Sequence, residues 1–313
     1  MKLKAMKPQV SKAASLAVVG TVAIDAIETP FGKRDEVFGG SASYFSYASS
    51  FFTSVALVAV VGQDFPDRYR KVLEERGIDL SHLQVMPGKT FFWRGKYEND
   101  MNSALTLETQ LNVLTVFDPK LKFASRPNYL FLANIDPDLQ IKVLDQMEKP
   151  RLKFVACDTM NYWIANKPDS LRKVLARVHC VVLNDGEARQ LTKEANLILA
   201  GQKVRDMGPE HVVIKKGEHG VLLFYGKQFF ALPAYPLEFV YDPTGAGDTF
   251  AGGMMGYLAS CGDISFDAFK KAVAVGTMTA SFTVEDFGLE SLRRITQRDI
   301  QERLGLFQRM CSF

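Results

Sequence analysis

Cysteine is scarce in this chain of 313 residues: the four present, Cys157, Cys180, Cys261 and Cys311, are scattered with no C-x-x-C pair. That excludes a disulfide framework and a cysteine-built zinc site, and it fits a reducing compartment. An excess of one charge is also lacking. Lys and Arg number 38 against 35 Asp and Glu, a net of +3, which leaves no nucleic-acid footprint but keeps anionic small molecules open as partners. No apolar run approaches the roughly 18 residues of a membrane helix. The nearest imitation is 16–24, which follows Lys2, Lys4, Lys7 and Lys12 and could pass for a signal peptide. It is short, rich in β-branched residues, and ends at Asp25 without a small-x-small cleavage site, so a buried first strand accounts for it better. Repeats, low-complexity tracts and Pro/Gly/Ser linkers are absent as well. The expectation is a soluble, cytoplasmic protein with neither nucleic acid nor membrane as partner.

What is present is an ordinary globular mixture, 47% apolar and 23% charged, long enough for two domains or for one large domain with an appendage. Short apolar runs at 16–24, 55–61, 129–133, 154–157, 181–183 and 212–215 alternate with helical spacing at 41–52, 67–76, 138–148, 170–178, 186–191 and 196–207. Such alternation predicts βαβ units, a mainly parallel sheet, and helices on both of its faces. Segments 28–38 and 89–114 break the rhythm. In the second, Phe91, Trp93 and Tyr97 alternate with Phe92, Arg94 and Lys96, the period of a half-buried strand. These insertions predict a small sheet across one edge of the main one. It is either a surface hairpin without function or a lid, and the aromatic content favours the lid.

The richest stretch is Val240-Tyr241-Asp242-Pro243-Thr244-Gly245-Ala246-Gly247-Asp248-Thr249-Phe250-Ala251-Gly252-Gly253. Its glycines let the backbone turn tightly, and Phe250, Met254, Tyr257 and Leu258 then keep helical spacing to about residue 260. A glycine loop opening a helix offers free N–H groups and the positive end of a dipole to an anion. Asp248 would repel a phosphate, unless its carboxylate takes the proton of a hydroxyl that attacks that phosphate. The plainer alternative is an N-capping aspartate.

This D-x-T-G-A-G-D-T-F-x-G-G stretch resembles the second signature of the ribokinase-like (PfkB) family of carbohydrate and nucleoside kinases. Phe38-Gly39-Gly40-Ser41-Ala42-Ser43-Tyr44-Phe45-Ser46-Tyr47-Ala48 resembles its first, a Gly-Gly loop running into a helix beside the sugar. Between them Asn184-Asp185-Gly186-Glu187 is similar to the family's N-x-x-E, and Lys216-Gly217-Glu218-His219-Gly220 to its nucleotide-binding turn. The four motifs fall in order and span nearly the whole chain.

The resemblance implies a three-layer α/β/α sandwich with a mainly parallel sheet and a small β lid, a kinase domain over 14–310, and a lid from insertions 27–38 and 88–115. It implies ATP and Mg²⁺ as cofactors. Asp248 would be the general base, with the N–H groups of Gly245, Ala246 and Gly247 as the anion hole. Asn184 and Glu187 would meet the phosphates and the hydrated Mg²⁺, and Lys216, Gly217, Gly220 and Thr277 the nucleotide. Asp242, Thr244 and Gly288, with backbone near Thr283 and Asp286, would hold a monovalent cation such as K⁺. Asp25, Gly39, Gly40, Ser41, Tyr44 and Asn134 would bind the acceptor, and the lid would offer a homodimer contact. Without the resemblance, Asn184 and Glu187 read as a helix cap, the 216–220 stretch as a tight turn, and Asp25, Asp242 and Asn134 as turn or loop formers.

Departures from the family pattern bear on the acceptor. Ser41 and Tyr44 stand where many sugar kinases carry Lys or Asn, and Tyr44, Phe91, Phe92 and Trp93 could stack on a flat base or simply make lid core. Asp158-Thr159-Met160-Asn161-Tyr162-Trp163 is faintly similar to a D-x-N-x-R stretch but lacks the Arg, which weakens the case for an acid sugar or sugar phosphate. Arg94 and Lys96 are either a solvated strand face or a contact for a phosphate. The expectation is a sugar kinase, with a nucleoside kinase acting on the ribose 5′-hydroxyl as the alternative. A catalytically silent ligand-binding relative is disfavoured by the intact Gly-Ala-Gly-Asp. A dehydrogenase would need G-x-G-x-x-G after the first strand, and 20–25 reads Gly-Thr-Val-Ala-Ile-Asp.

Overall fold

Alternate side chains of the first strand enter opposite layers: Leu16 and Val18 join one buried cluster, Ala17 and Val19 the other. That is the signature of a sheet covered on both faces, since successive strand residues point to opposite sides. A computed structural model describes residues 14–98, 101–123, 126–147 and 152–312.

The chain begins β1 (Leu16–Val19), β2 (Ala23–Thr29), β3 (Gly32–Gly39), α1 (Ser41–Ser49), β4 (Val55–Gly62), α2 (Asp67–Glu75) and β5 (Asp79–Met86). It continues through β6 (Phe91–Tyr97), β7 (Ala104–Gln110), β8 (Tyr129–Leu132), α3 (Pro137–Met147) and β9 (Phe154–Asp158). Then come α4 (Asn161–Asn166), α5 (Pro168–Leu175), β10 (Cys180–Asn184), α6 (Asp185–Thr192), α7 (Leu197–Arg205) and β11 (His211–Lys215). The last part holds β12 (Val221–Tyr225), β13 (Gln228–Leu232), α8 (Ala246–Cys261), α9 (Phe266–Thr283), α10 (Glu290–Arg294) and α11 (Gln297–Cys311). The expected helix end at residue 148 lies outside the described residues, as do Lys2, Lys4, Lys7 and Lys12.

The main sheet runs β13-β12-β11-β10-β9-β8-β1-β4-β5, parallel except where β12 meets β11 and β13. The fold is an α/β/α sandwich with a second, smaller sheet as lid, ordered β3-β2-β6-β7. One expectation is corrected. The run 16–24 is two strands in two sheets, not one: β1 stops at Val19, and Ala23 already pairs with Gly39 and Phe91 in the lid. The break is fixed by Ser41, whose Oγ meets the Thr21 N–H at 3.2 Å while Thr21 Oγ1 accepts from the Ser41 N–H at 3.0 Å. Apolarity alone could not show the break, because both strands are buried. Among the described residues, no helix is long and apolar enough to cross a membrane, and all four cysteines are free.

The lid strands present two unlike faces. Asp25 lies beside Trp93 in the β2–β6 ladder and Ile27 beside Gly95, so these residues face the body. Opposite to them Lys96 pairs with Glu28 at 2.9 Å and Arg94 with Glu108 at 3.8 Å, so Arg94 and Lys96 occupy the solvated face. The lid is fastened to the body by a cluster of Ile27, Val37, Tyr97 and Phe287. At the β2–β3 turn Phe31 packs on Tyr241, ring centroids 5.0 Å apart, and on Phe239.

Candidate active site

Ligands of parallel α/β sheets bind outside the carboxyl ends of the strands. Here three neighbouring strands deliver Asp158, Asn184 and Lys215 to that end, aligned through the pairs Val182–Asp158 and Asn184–Lys215. Asn184 caps α6 in a full capping box: its Oδ1 accepts the Glu187 N–H at 2.8 Å, and a Glu187 carboxylate oxygen accepts the Asn184 N–H at 2.7 Å. The cap and the site are thus the same residues.

Facing those strand ends is the start of α8. Gly245 is its N-cap in the left-handed region, φ 75°, and the space a Cβ would need is filled by the Tyr44 ring. Ala246 donates its N–H to Pro243 O at 3.2 Å, closing the turn. Lys215 Nζ lies 2.5 Å from where a Cβ would stand on Gly247, so an ammonium joins the N–H groups of this loop. Asp248 occupies the first turn; burial raises its carboxyl to about 6, opposed by Lys215, which pulls it down. Burial also raises Glu187 against the same lysine. Asp158 is raised well above the ordinary range by burial and then by Asp248, and its Oδ1 is buried without a hydrogen-bond partner. Three carboxyls around one ammonium can hold protons and metal-bound water but no further anion without a cation beside it.

A cavity of about 620 Å³ opens beside this loop, walled by Asn184, Lys215, Gly217, Gly220, Gly247 and Thr277 with apolar residues such as Val221 and Leu237. Of the expected nucleotide residues, Asn184, Gly217, Gly220 and Thr277 are assembled there, Glu187 lies outside the wall, and one is exchanged. Lys216 is absent from the wall and instead closes its turn through its N–H to Gly220 O at 2.7 Å; Lys215 lines the cavity in its place. Thr277 donates its hydroxyl to Val273 O at 2.9 Å, so it offers the cavity an acceptor oxygen.

At the other side of Asp248 lies Asp25. It is buried at 4% exposure, accepts the Gly40 N–H, and its carboxyl is raised by burial and by Asp242 and Asp248. Gly39 is required because its missing side chain leaves room for that carboxylate. Two expected acceptor residues turn inward instead. Ser41 Oγ is taken by Thr21 and by Asn134 O at 3.2 Å, and the Tyr44 ring, 1% exposed, lies under Gly245, where it cannot stack on a base. Every residue of α1 is buried. Asn134 remains at the edge, its Oδ1 accepting Trp163 Nε1–H at 2.9 Å. Trp93 is the strand neighbour of Asp25 in the lid; its half-buried indole lies over Gly95, and its N–H reaches Thr106 Oγ1 at 3.2 Å.

Asp242, Thr244 and Gly288 also come together. Asp242 accepts the N–H groups of Thr244 (2.9 Å) and Gly288 (3.1 Å), one on each oxygen, and Thr244 Oγ1 donates to Tyr97 of the lid at 3.2 Å. These bonds let a buried carboxylate stand next to the glycine loop.

Sequence reasoning missed Lys215. Lys215 carried a signal: it is the last residue of an apolar strand that leads directly into the glycine turn. Trp93 was one of several aromatics that could stack on a base or make lid core, and its pairing with Asp25 could not be read without the strand register.

The chain belongs to the pfkB family of carbohydrate kinases, whose model matches residues 13–294. It is therefore a member of a family of ATP-dependent phosphotransferases that act on small polar substrates. It is 32% identical over 243 residues to a cytidine kinase of Thermococcus kodakarensis, covering 77% of this chain and 87% of that one. The fold is shared with a nucleoside kinase of Methanocaldococcus jannaschii, TM-score 0.76 at 19% identity over 94% of this chain and 99% of the other. It is shared also with a ribokinase of Cryptococcus neoformans var. grubii serotype A in complex with ADP, TM-score 0.78 at 20% identity over 93% of this chain and 100% of that one.

Proposed function

We propose that this chain is an ATP-dependent nucleoside kinase that phosphorylates the ribose 5′-hydroxyl. The observation that carries the choice of nucleoside over free sugar is Trp93, the strand partner of Asp25 on the body-facing side of the lid, whose indole lies over Gly95. A carboxylate suits the vicinal hydroxyls of a ribose, and an indole beside it gives a base a stacking surface worth about 1–3 kcal/mol. The similarity to the cytidine kinase supports the same reading, and it replaces the expectation of a sugar kinase.

In this reading Asp25 orients the ribose hydroxyls. Asp248 accepts the 5′-hydroxyl proton as that oxygen bonds to the γ-phosphorus and the bond to the β-phosphate oxygen breaks, releasing ADP. The N–H groups of Gly245 and Gly247 with the Lys215 ammonium hold the charge on the transferring group. Among the described residues, no cluster of three or more metal-ligating side chains is close enough to hold an ion. Magnesium nonetheless fits when carried on the phosphates, because it keeps most of its waters and Asp158 Oδ1 and Glu187 stand ready to accept from them. It would neutralise charge on the β- and γ-phosphates.

A coupled ADP-release assay over cytidine, uridine, inosine, adenosine, ribose and fructose tests the reading. Turnover on nucleosides is expected; activity on free sugars alone would reject it. Asp25→Ala is expected to raise the acceptor KM about a hundredfold, the loss of two charged hydrogen bonds, with ATP KM little changed. An unmoved acceptor KM would place the ribose elsewhere.

A further inference from the structure

The lid lies over the acceptor, yet its β6–β7 connection does not stop there. Tyr97, the last residue of β6, is tied to Thr244 of the glycine loop, and beyond it Met101 and Asn102 line the nucleotide cavity. Met101 packs on the Ile27, Val37, Tyr97 and Phe287 cluster that fastens the lid. Its backbone is left-handed, φ 53°, a conformation that costs a residue with a side chain about 1–2 kcal/mol and persists where packing holds it. The effect of that turn is to bring Asn102 against the nucleotide turn. Asn102 Oδ1 stands 2.7 Å from where a Cβ would lie on Gly217, itself at φ 54°.

From this geometry we infer that Asn102 is a nucleotide-binding residue supplied by the lid. Its side chain is an amide, with donor and acceptor atoms, in the same cavity wall as Lys215 and Ala246, where the phosphate and ribose part of the nucleotide would meet it. The lid then has two working ends, Trp93 over the acceptor and Asn102 over the nucleotide. The inference rests on this cavity being the nucleotide end of the site and is independent of which acceptor is used.

Calorimetric binding of ADP, with no acceptor present, tests it on the full chain. Asn102→Ala is expected to weaken ADP about tenfold, the value of one hydrogen bond to a charged partner, and to raise ATP KM in step while kcat stays within a factor of about two. Asn102 is exposed, so the melting temperature should hold. Leu107→Ala, on the exposed lid strand β7, serves as the control and should leave ADP affinity unchanged. An Asn102→Ala protein that binds ADP within twofold of the parent, or one that shifts no more than Leu107→Ala, would overturn the inference. A parent chain that fails to bind ADP would instead reject the assignment of the cavity.

Discussion

Asp248→Asn is expected to lower kcat about a thousandfold while leaving ADP affinity nearly unchanged. The amide fills the same space at the start of α8 but cannot take a proton, and a positioned base contributes roughly 10²–10⁴ to rate. The carboxyl, raised to about 6 by burial, must be deprotonated to serve. Parent kcat is therefore expected to fall about tenfold per pH unit below that value, and the residual rate of the variant to ignore pH across the same range. A variant within tenfold of the parent, or one sharing its acid limb, would remove Asp248 from the role of base. Stability should move the other way. A folded carboxyl held above its unfolded value binds protons more readily than the unfolded chain, so the penalty is absent at pH 3 and grows as pH rises through about 6. At pH 8 the neutral amide should melt higher than the parent; at pH 3 the two should melt alike.

Gly245→Ala is expected to reduce kcat about a hundredfold and to lower the melting temperature as well. Two obstacles coincide there: a left-handed φ of 75° and the Tyr44 ring in the space a Cβ would take. The methyl cannot be absorbed by one side chain moving, because Tyr44 lies in a helix whose nine residues are all buried. The loop must shift, and the N–H groups aimed at the phosphoryl oxygens shift with it. Removing one such donor costs about 10²–10³ in rate. Single-turnover kinetics at saturating ATP would show the loss in the chemical step. An unchanged single-turnover rate would mean that the loop does not stabilise the transferring group.

What could be read from the sequence was what is local. The glycine loop and Asp248 lie within a few residues of each other, and the Asn184–Glu187 cap is one turn of helix, so spacing alone brought their parts together. What could not be read depended on direction or on distant pairing. Lys215 and Lys216 are adjacent, and only the way β11 ends decides which one meets the cavity. Ser41 and Tyr44 read as ligands in a glycine-led helix, but all nine residues of α1 are buried and these two turn into the body. Trp93 reaches Asp25 only through a parallel pairing between strands that β3, α1, β4, α2 and β5 separate in the chain. Asn102 reaches Gly217 from another sheet altogether.

The position of β1 has a consequence for how the molecule is made. The first strand of the chain sits inside the main sheet, with β4 on one side and β8 on the other, and β8 does not begin until Tyr129. All four lid strands leave the ribosome before that second neighbour exists. Until β8 is synthesised, β1 keeps one apolar edge unpaired, which is the kind of surface that recruits other chains. The sheet must also close over long sequence separations, which slows folding. A nascent chain ending after β7 should accordingly be held by chaperones or aggregate, and chains ending after β8 should be the first to protect β1 from proteolysis.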